Sequence, residues 1–134
     1  MKNTTVLDIL KESKYFLEEP GIVVCKNTYW KDHKTRRLEV GIDYIEPCQV
    51  CLQGAILWVS YLAGEELDES QLIGNTLNRI FQAIKHEGTY ESIPHFNDQP
   101  EIEKEDLIRV IDRAIELEEK GVKTIEYMKT WLLI

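Results

Sequence analysis

Three cysteines, three histidines and an Asn-Asp pair are the residues through which this chain could do chemistry. Cys48 and Cys51 stand in a Cys-x-x-Cys spacing, and Cys25 with one of His33, His86 or His95 would complete a Cys3His zinc set. Structural zinc sites are built from two closely spaced ligand pairs, and the second pair is missing, so no metal is expected. Cys51 also sits inside an apolar run, where a cysteine behaves as a small hydrophobe. Redox chemistry at the same spacing asks for a thioredoxin-like motif that follows a strand in a βαβ unit. No such unit is legible here, and no cofactor is expected.

A nucleophilic role is the sharper possibility. If a helix begins near Pro47, Cys48 or Cys51 lies in its first turn, where the positive end of the helix dipole favours thiolate. His95 would then serve as base and Asn97 or Asp98 as its orienting group, in the order Cys, His, Asn found in papain-like hydrolases. Against this, His95 and Asn97 are two residues apart on one loop, which makes it hard for the amide to support the imidazole from behind. There is also no glycine loop that would form an oxyanion hole. The leading expectation is therefore no catalytic set. A cysteine-dependent hydrolase using Cys51 or Cys48 with His95 and Asn97 or Asp98 is the alternative.

Binding chemistry has two candidate stretches. Asn97 and Asp98, next to Phe96, could hold a small polar ligand or a cation. Asn and Asp in such places more commonly bond nearby backbone and hold a loop in shape. The second stretch is Tyr29-Trp30-Lys31-Asp32-His33-Lys34-Thr35-Arg36-Arg37. Trp30, Lys34, Arg36 and Arg37 could grip a nucleotide-like anion or an acidic partner, set against the plainer reading of a solvated tip with Trp30 in the core. The acidic run from Glu101 to Asp106, with Glu116, Glu118 and Glu119, reads as a solvated helix face whose start complements the helix dipole, although it could mimic nucleic acid.

Charge narrows the partners. The net charge of −8 argues against a generic nucleic-acid binder, which needs Lys and Arg to neutralise phosphates. Between Lys26 and Arg37, five basic residues face one acid for a net +4, so the remainder carries 11 basic and 23 acidic residues, or −12. A basic knob on an acidic body favours a protein partner or a small anionic ligand. With 43% hydrophobic and 30% charged residues over 134 positions, the chain reads as one globular domain, 1–134. The one apolar run is too short for a bilayer and carries glutamines. No basic region followed by an apolar stretch opens the sequence, and three cysteines fit a reducing compartment, so a cytoplasmic location is expected.

The elements that must position these residues are organised around Cys48–Gly64. Gln49, Gln53 and Ser60 fall on one narrow edge and the rest is apolar, as in a helix lying in the interior. Gly54 and Ala55 would admit a close neighbour, and Gly64 offers a left-handed stop. Before it, Thr5 and Asp8 form a capping box for a first helix, closed by Glu19-Pro20-Gly21. Ile22–Cys25 and the alternating Leu38, Val40 and Ile42 predict an antiparallel hairpin, with its polar turn at Asp32–Thr35. After the central helix, Asp68 or Ser70 caps a helix with the face Ile73, Leu77, Ile80, Phe81 and Ile84. A connection over 89–100, with two prolines, leads to a helix carrying Leu107, Ile108, Ile111, Ala114 and Ile115. A last short helix is expected over 124–134. The fold class is α+β and mainly helical: four or five helices around a central apolar helix (about 48–63), plus one β-hairpin (about 22–45).

Cys51-Leu52-Gln53-Gly54-Ala55-Ile56, Phe96-Asn97-Asp98-Gln99-Pro100, and Asp106-Leu107 leading to Ile111-Asp112-Arg113-Ala114 together resemble a family. It is a set of small uncharacterised proteins from bacteria and their phages, with a Cys-x-x-Gly-Ala-aliphatic helix, an aromatic-Asn-Asp loop and a following Leu-Asp-x-Ala-like helix. The resemblance covers Cys51 to Ala114 and leaves the hairpin outside. Phe96 stands where that family usually has Trp, and Glu103 where it has a Thr cap, so the loop-to-helix junction departs from the pattern. The resemblance implies relatives and a bacterial or phage origin, but no reaction. The function expected is a small non-enzymatic accessory protein that binds a protein partner or nucleotide-like ligand and modulates a host or defence component.

Overall fold

Helix starts are set by side chains that satisfy the first free amides. In the computed structural model, which describes residues 4–26, 30–31, 34–37, 43–46, 49–65 and 70–124, helix α1 spans Val6–Glu18. Thr5 Oγ1 accepts from the Asp8 amide at 3.1 Å, and Asp8 Oδ2 accepts from the Thr5 amide at 2.9 Å, the reciprocal capping box expected. Ser70 does the same work for α3, Gln71–Ile84, accepting from the Ile73 amide at 3.1 Å. The longest helix, α5, spans Lys104–Glu119, and Asp106 Oδ2 accepts from the Glu103 amide at its start.

Between α1 and the next helix lie five short strands: β1 Val23–Val24, β2 Trp30–Lys31, β3 Lys34–Arg37, β4 Asp43–Glu46 and β5 Gln49–Val50. Among the described residues, the hairpin expected over 22–45, with its turn at 32–35, is not seen. β1 instead runs parallel to β5, with Val24 opposite Val50, and β2 pairs antiparallel with β5 on its other side. Lys34 and Thr35, read as turn, belong to β3, which pairs antiparallel with β4. Residues 38–42, read as a strand, lie outside the described residues. The reason is partner choice: β1 finds its ladder in a segment adjoining the central helix, which no local turn signal reports.

The central helix, α2, is Leu52–Leu62, shorter than the expected 48–63. Gln49 and Val50 are strand and Cys51 is the N-cap, so the helix starts one turn later than Pro47 suggested. Residues Leu52 through Leu57, with Val59 and Ser60, are buried, and α2 packs against α1, α3 and a short helix α4, Ile93–Asn97. Buried Ser60 satisfies itself by donating to the Ile56 carbonyl at 2.7 Å. Gly64 ends the helix with φ +90°, the left-handed stop foreseen. The expected apolar face of α3 is buried throughout, against Leu107, Val110, Ile111 and Ala114 of α5 and Ile9, Leu10 and Leu17 of α1. The chain is thus mainly helical, with five helices among the described residues, and none of them is long and apolar enough to cross a membrane. The helix expected over 124–134 falls almost wholly outside the described residues.

Polar contacts join the helices across this core. Arg79, 4% exposed, donates to Glu118 at 2.8 Å and to Gln82 at 2.7 Å, linking α3 to α5. Lys14 of α1 pairs with Asp112 of α5 at 2.8 Å. Ile56→Ala, at a fully buried position of α2, is expected to cost about 2–5 kcal/mol in a urea titration. Asp8 and Asp106 titrate below the ordinary carboxylate range, chiefly because each accepts a backbone amide at its cap. A lowered folded-state pKa gives stability that is present above the unfolded value and lost as pH falls through the folded one. Asp8→Asn with Asp106→Asn should therefore flatten the fall of the urea midpoint below about pH 4 relative to wild type.

Candidate functional site

β5 runs directly into α2, and Cys51 between them keeps extended backbone (φ −90°, ψ 173°). Beside it, the Cys25 amide donates to the Val50 carbonyl at 2.9 Å, a rung of the parallel ladder. The following rung of such a ladder would join the Leu52 amide to the Cys25 carbonyl. The Asn97 side chain stands in that place. The Leu52 amide donates to Asn97 Oδ1 at 2.9 Å, and Asn97 Nδ2 donates to the Cys25 carbonyl at 2.9 Å. A primary amide offers the same donor and acceptor as a peptide group, so both ends are satisfied through it. Asn97 is fully buried and donates also to Asp98 Oδ1 at 3.1 Å.

Lys26 completes this junction. Its Nζ donates to the backbone carbonyls of Asn97, of Gln99 at 3.1 Å and of Ile102 at 2.8 Å. An ammonium has three protons, and three carbonyls take them. Lys104 mirrors it from α5, donating to the carbonyls of Glu19 at 2.9 Å and Ile22 at 2.8 Å. The connection over 89–100, expected as a loop, contains α4, whose N-cap Ser92 accepts from the His95 amide and which has Pro94 in its first turn. Sequence reasoning singled out Asn97 but counted Lys26 only as the first member of the basic stretch. A lysine after Val23-Val24-Cys25 carries no signal of the carbonyls waiting across the fold.

The cysteine candidates are placed differently from an activated nucleophile. Cys51 Sγ accepts from the Gly54 amide at 3.2 Å, acting as the cap of α2. Burial pushes its thiol up to about 12, and Cys25 and Asp98 add to the rise, while the Gly54 amide pulls the other way. Such a thiol is protonated at neutral pH. The exposed His95 is turned to its own segment: Nδ1 accepts from the Glu91 amide at 3.1 Å, and its ring meets Tyr90 edge-on at 5.6 Å. Asn97 is spent on Cys25 and Leu52. The structure therefore brings Asn97 and Asp98 to the start of α2 and engages His95 elsewhere. Among the described residues no cluster of three His, Cys, Asp or Glu side chains could hold a metal. Cys48 and His33 lie outside them; Trp30, Lys34, Arg36 and Arg37 are placed by backbone only, Arg36 opposite Tyr44 and Arg37 opposite Asp43.

One surface feature was not foreseen. A groove of about 550 Å³ runs along α1 beside the C-terminal end of α2. Val59, Leu62 and Ala63 line it from α2, Ile9 and Phe16 from α1, and Asp8, Glu12 and Tyr15 stand on α1 with them, followed by Glu19 at its C-cap. Tyr15 is 59% exposed and Leu62 61% exposed, unusual for large side chains on helices that otherwise build a core. Leu62 had been read as interior because the apolar run gives no sign that the last turn of α2 emerges.

Residues 1–117 match the profile of a family of unknown function, DUF6197. The chain belongs to this family. The family match takes in α1 and the five strands as well as the Cys51–Ala114 stretch, so the strand region lies within the match and not outside it. No match was found among curated proteins or among solved structures.

Asn97→Ala would remove the buried hydrogen bonds that Asn97 makes to the Leu52 amide and the Cys25 carbonyl, at about 1–3 kcal/mol for each, read as a lowered urea midpoint. For Cys51, a folded-state pKa raised above the ordinary value of 9.0 gives stability fully present below that value and lost as pH rises toward 12. Cys51→Ser should accordingly lose less stability between pH 9 and pH 11 than wild type, measured by urea titration at each pH.

Proposed function

We propose that the protein is a small non-enzymatic accessory protein, of bacterial or phage origin, that binds a protein partner and modulates a host or defence component. The observation that carries this reading is the groove between α1 and the end of α2, where Tyr15 and Leu62 stand exposed beside the buried core. Large side chains left in water on rigid helices are the composition of a contact surface, since ordering them costs little when a partner arrives. The candidate catalytic groups support the same reading. Cys51 is engaged as a helix cap, Asn97 as a strand-to-helix bridge, and His95 with its own turn.

The basic stretch carries the competing form of this function, a small anionic or nucleotide-like ligand held by Lys34, Arg36 and Arg37. Two double variants separate the forms, Tyr15→Ser with Leu62→Ser, and Arg36→Glu with Arg37→Glu. Affinity capture from native-host extract, with identification by mass spectrometry, is expected to lose its specific protein with the first variant while the melting temperature is unchanged. Loss with the second variant alone would move the site to the basic stretch. Retention by both would overturn the groove and the basic stretch as contact surfaces, and capture of no specific protein by the wild type would overturn the binding reading. Iodoacetamide at pH 6 is expected to leave Cys51 unlabelled in the folded protein, and rapid labelling there would restore the hydrolase.

A further inference from the structure

The groove also carries information about what fills it. Asp8 and Glu12 of α1 and Glu19, its C-cap, stand along it, and no Lys or Arg is among the described residues that line it. α2 ends in the groove at Ala63 with no basic residue in its last turn, so the negative end of its dipole adds to the three carboxylates. Its apolar lining is Ile9, Phe16, Val59, Leu62 and Ala63, and Tyr15 stands beside it, 59% exposed. The groove follows a helix of 13 residues, about 20 Å long, which is the length of a three- to four-turn helix laid beside it.

We infer that the groove takes a cationic amphipathic helix of a partner protein, its apolar face on Val59 and Leu62 and its Lys or Arg side chains on Asp8, Glu12 and Glu19. This rests on the protein-binding reading above and names the chemistry of the partner. The apolar face provides the contact area, and the carboxylates exclude acidic helices and raise the rate of encounter with basic ones. An arginine of the incoming helix can also lie over Tyr15.

The test uses the full chain and three fluorescein-labelled 14-residue peptides. One has leucines on a single helical face and lysines on the other, one is its scramble with no apolar face, and one replaces every lysine by glutamate. Fluorescence anisotropy is expected to show the Leu/Lys helix binding at least tenfold more tightly than either other peptide. Glu12→Lys with Glu19→Lys should weaken it at least tenfold, and Leu62→Ser severalfold. Glu116→Lys with Glu119→Lys, exposed on α5, should leave it unchanged. Equal binding of the scramble, or equal weakening by the α5 reversal, would reduce the effect to general charge attraction and overturn the inference. If the groove variant loses its native partner while the Leu/Lys helix fails to bind, the groove remains the contact surface and the cationic occupant is wrong.

Discussion

The fold depends on one side-chain amide standing where a peptide group would otherwise be. At the end of β1 and the start of α2, two strands part because one of them turns into a helix. The separation leaves a buried amide at Leu52 and a buried carbonyl at Cys25, and either would be costly unpaired. Asn97 spans both. Because it projects from α4, the same contact that closes the ladder also fixes the helix on the far side of the long connection. Lys26 reinforces the join from the opposite direction by gathering the carbonyls of Asn97, Gln99 and Ile102. The two residues are reciprocal: one on α4 reaches the backbone beside Lys26, and Lys26 reaches the backbone of α4.

This arrangement accounts for the burial of so much polar structure near the middle of the chain. Asn97, Cys51 and Cys25 lie in the interior, yet each makes a defined hydrogen bond or ladder contact. The same tight accounting takes away the features a reactive site needs. A catalytic thiol is partly open and electropositive, whereas Cys51 is enclosed and protonated. What the interior withdraws from chemistry the exterior leaves available for contact, and the charged side chains among the described residues that line the groove beside α1 are carboxylates.

Much of the helical frame was legible because its signals are local. Thr5 and Asp8, Ser70 and Ile73, and the spacing of Ile73, Leu77, Ile80 and Ile84 are each complete within four residues or a single face. The misreadings share a different cause. Val50 through Val59 is apolar except for Gln53, so neither period distinguishes the strand residue Val50 from the helix that begins at Leu52. β1 was given the wrong partner because parallel pairing with β5 depends on a segment some way along the chain and on no turn between them. Asn97 and Asp98 were recognised as loop-holding chemistry, but the expectation was of neighbouring backbone. Asn97 in fact holds residues from two distant elements. The groove was invisible because exposure of Leu62 is a property of the end of α2 meeting α1, and composition carries no trace of it.

The bridge has a temporal side as well. Asn97 follows Leu52 by 45 residues and Cys25 by 72, so during synthesis the amide that completes this joint does not yet exist when the first two segments leave the ribosome. At ordinary elongation speeds the delay is about 2–9 s, far longer than helix formation or collapse require. Through that interval the greasy stretch at the head of α2 must wait with its leading amide unclaimed, a window in which a chaperone rather than the native contact would be its natural companion.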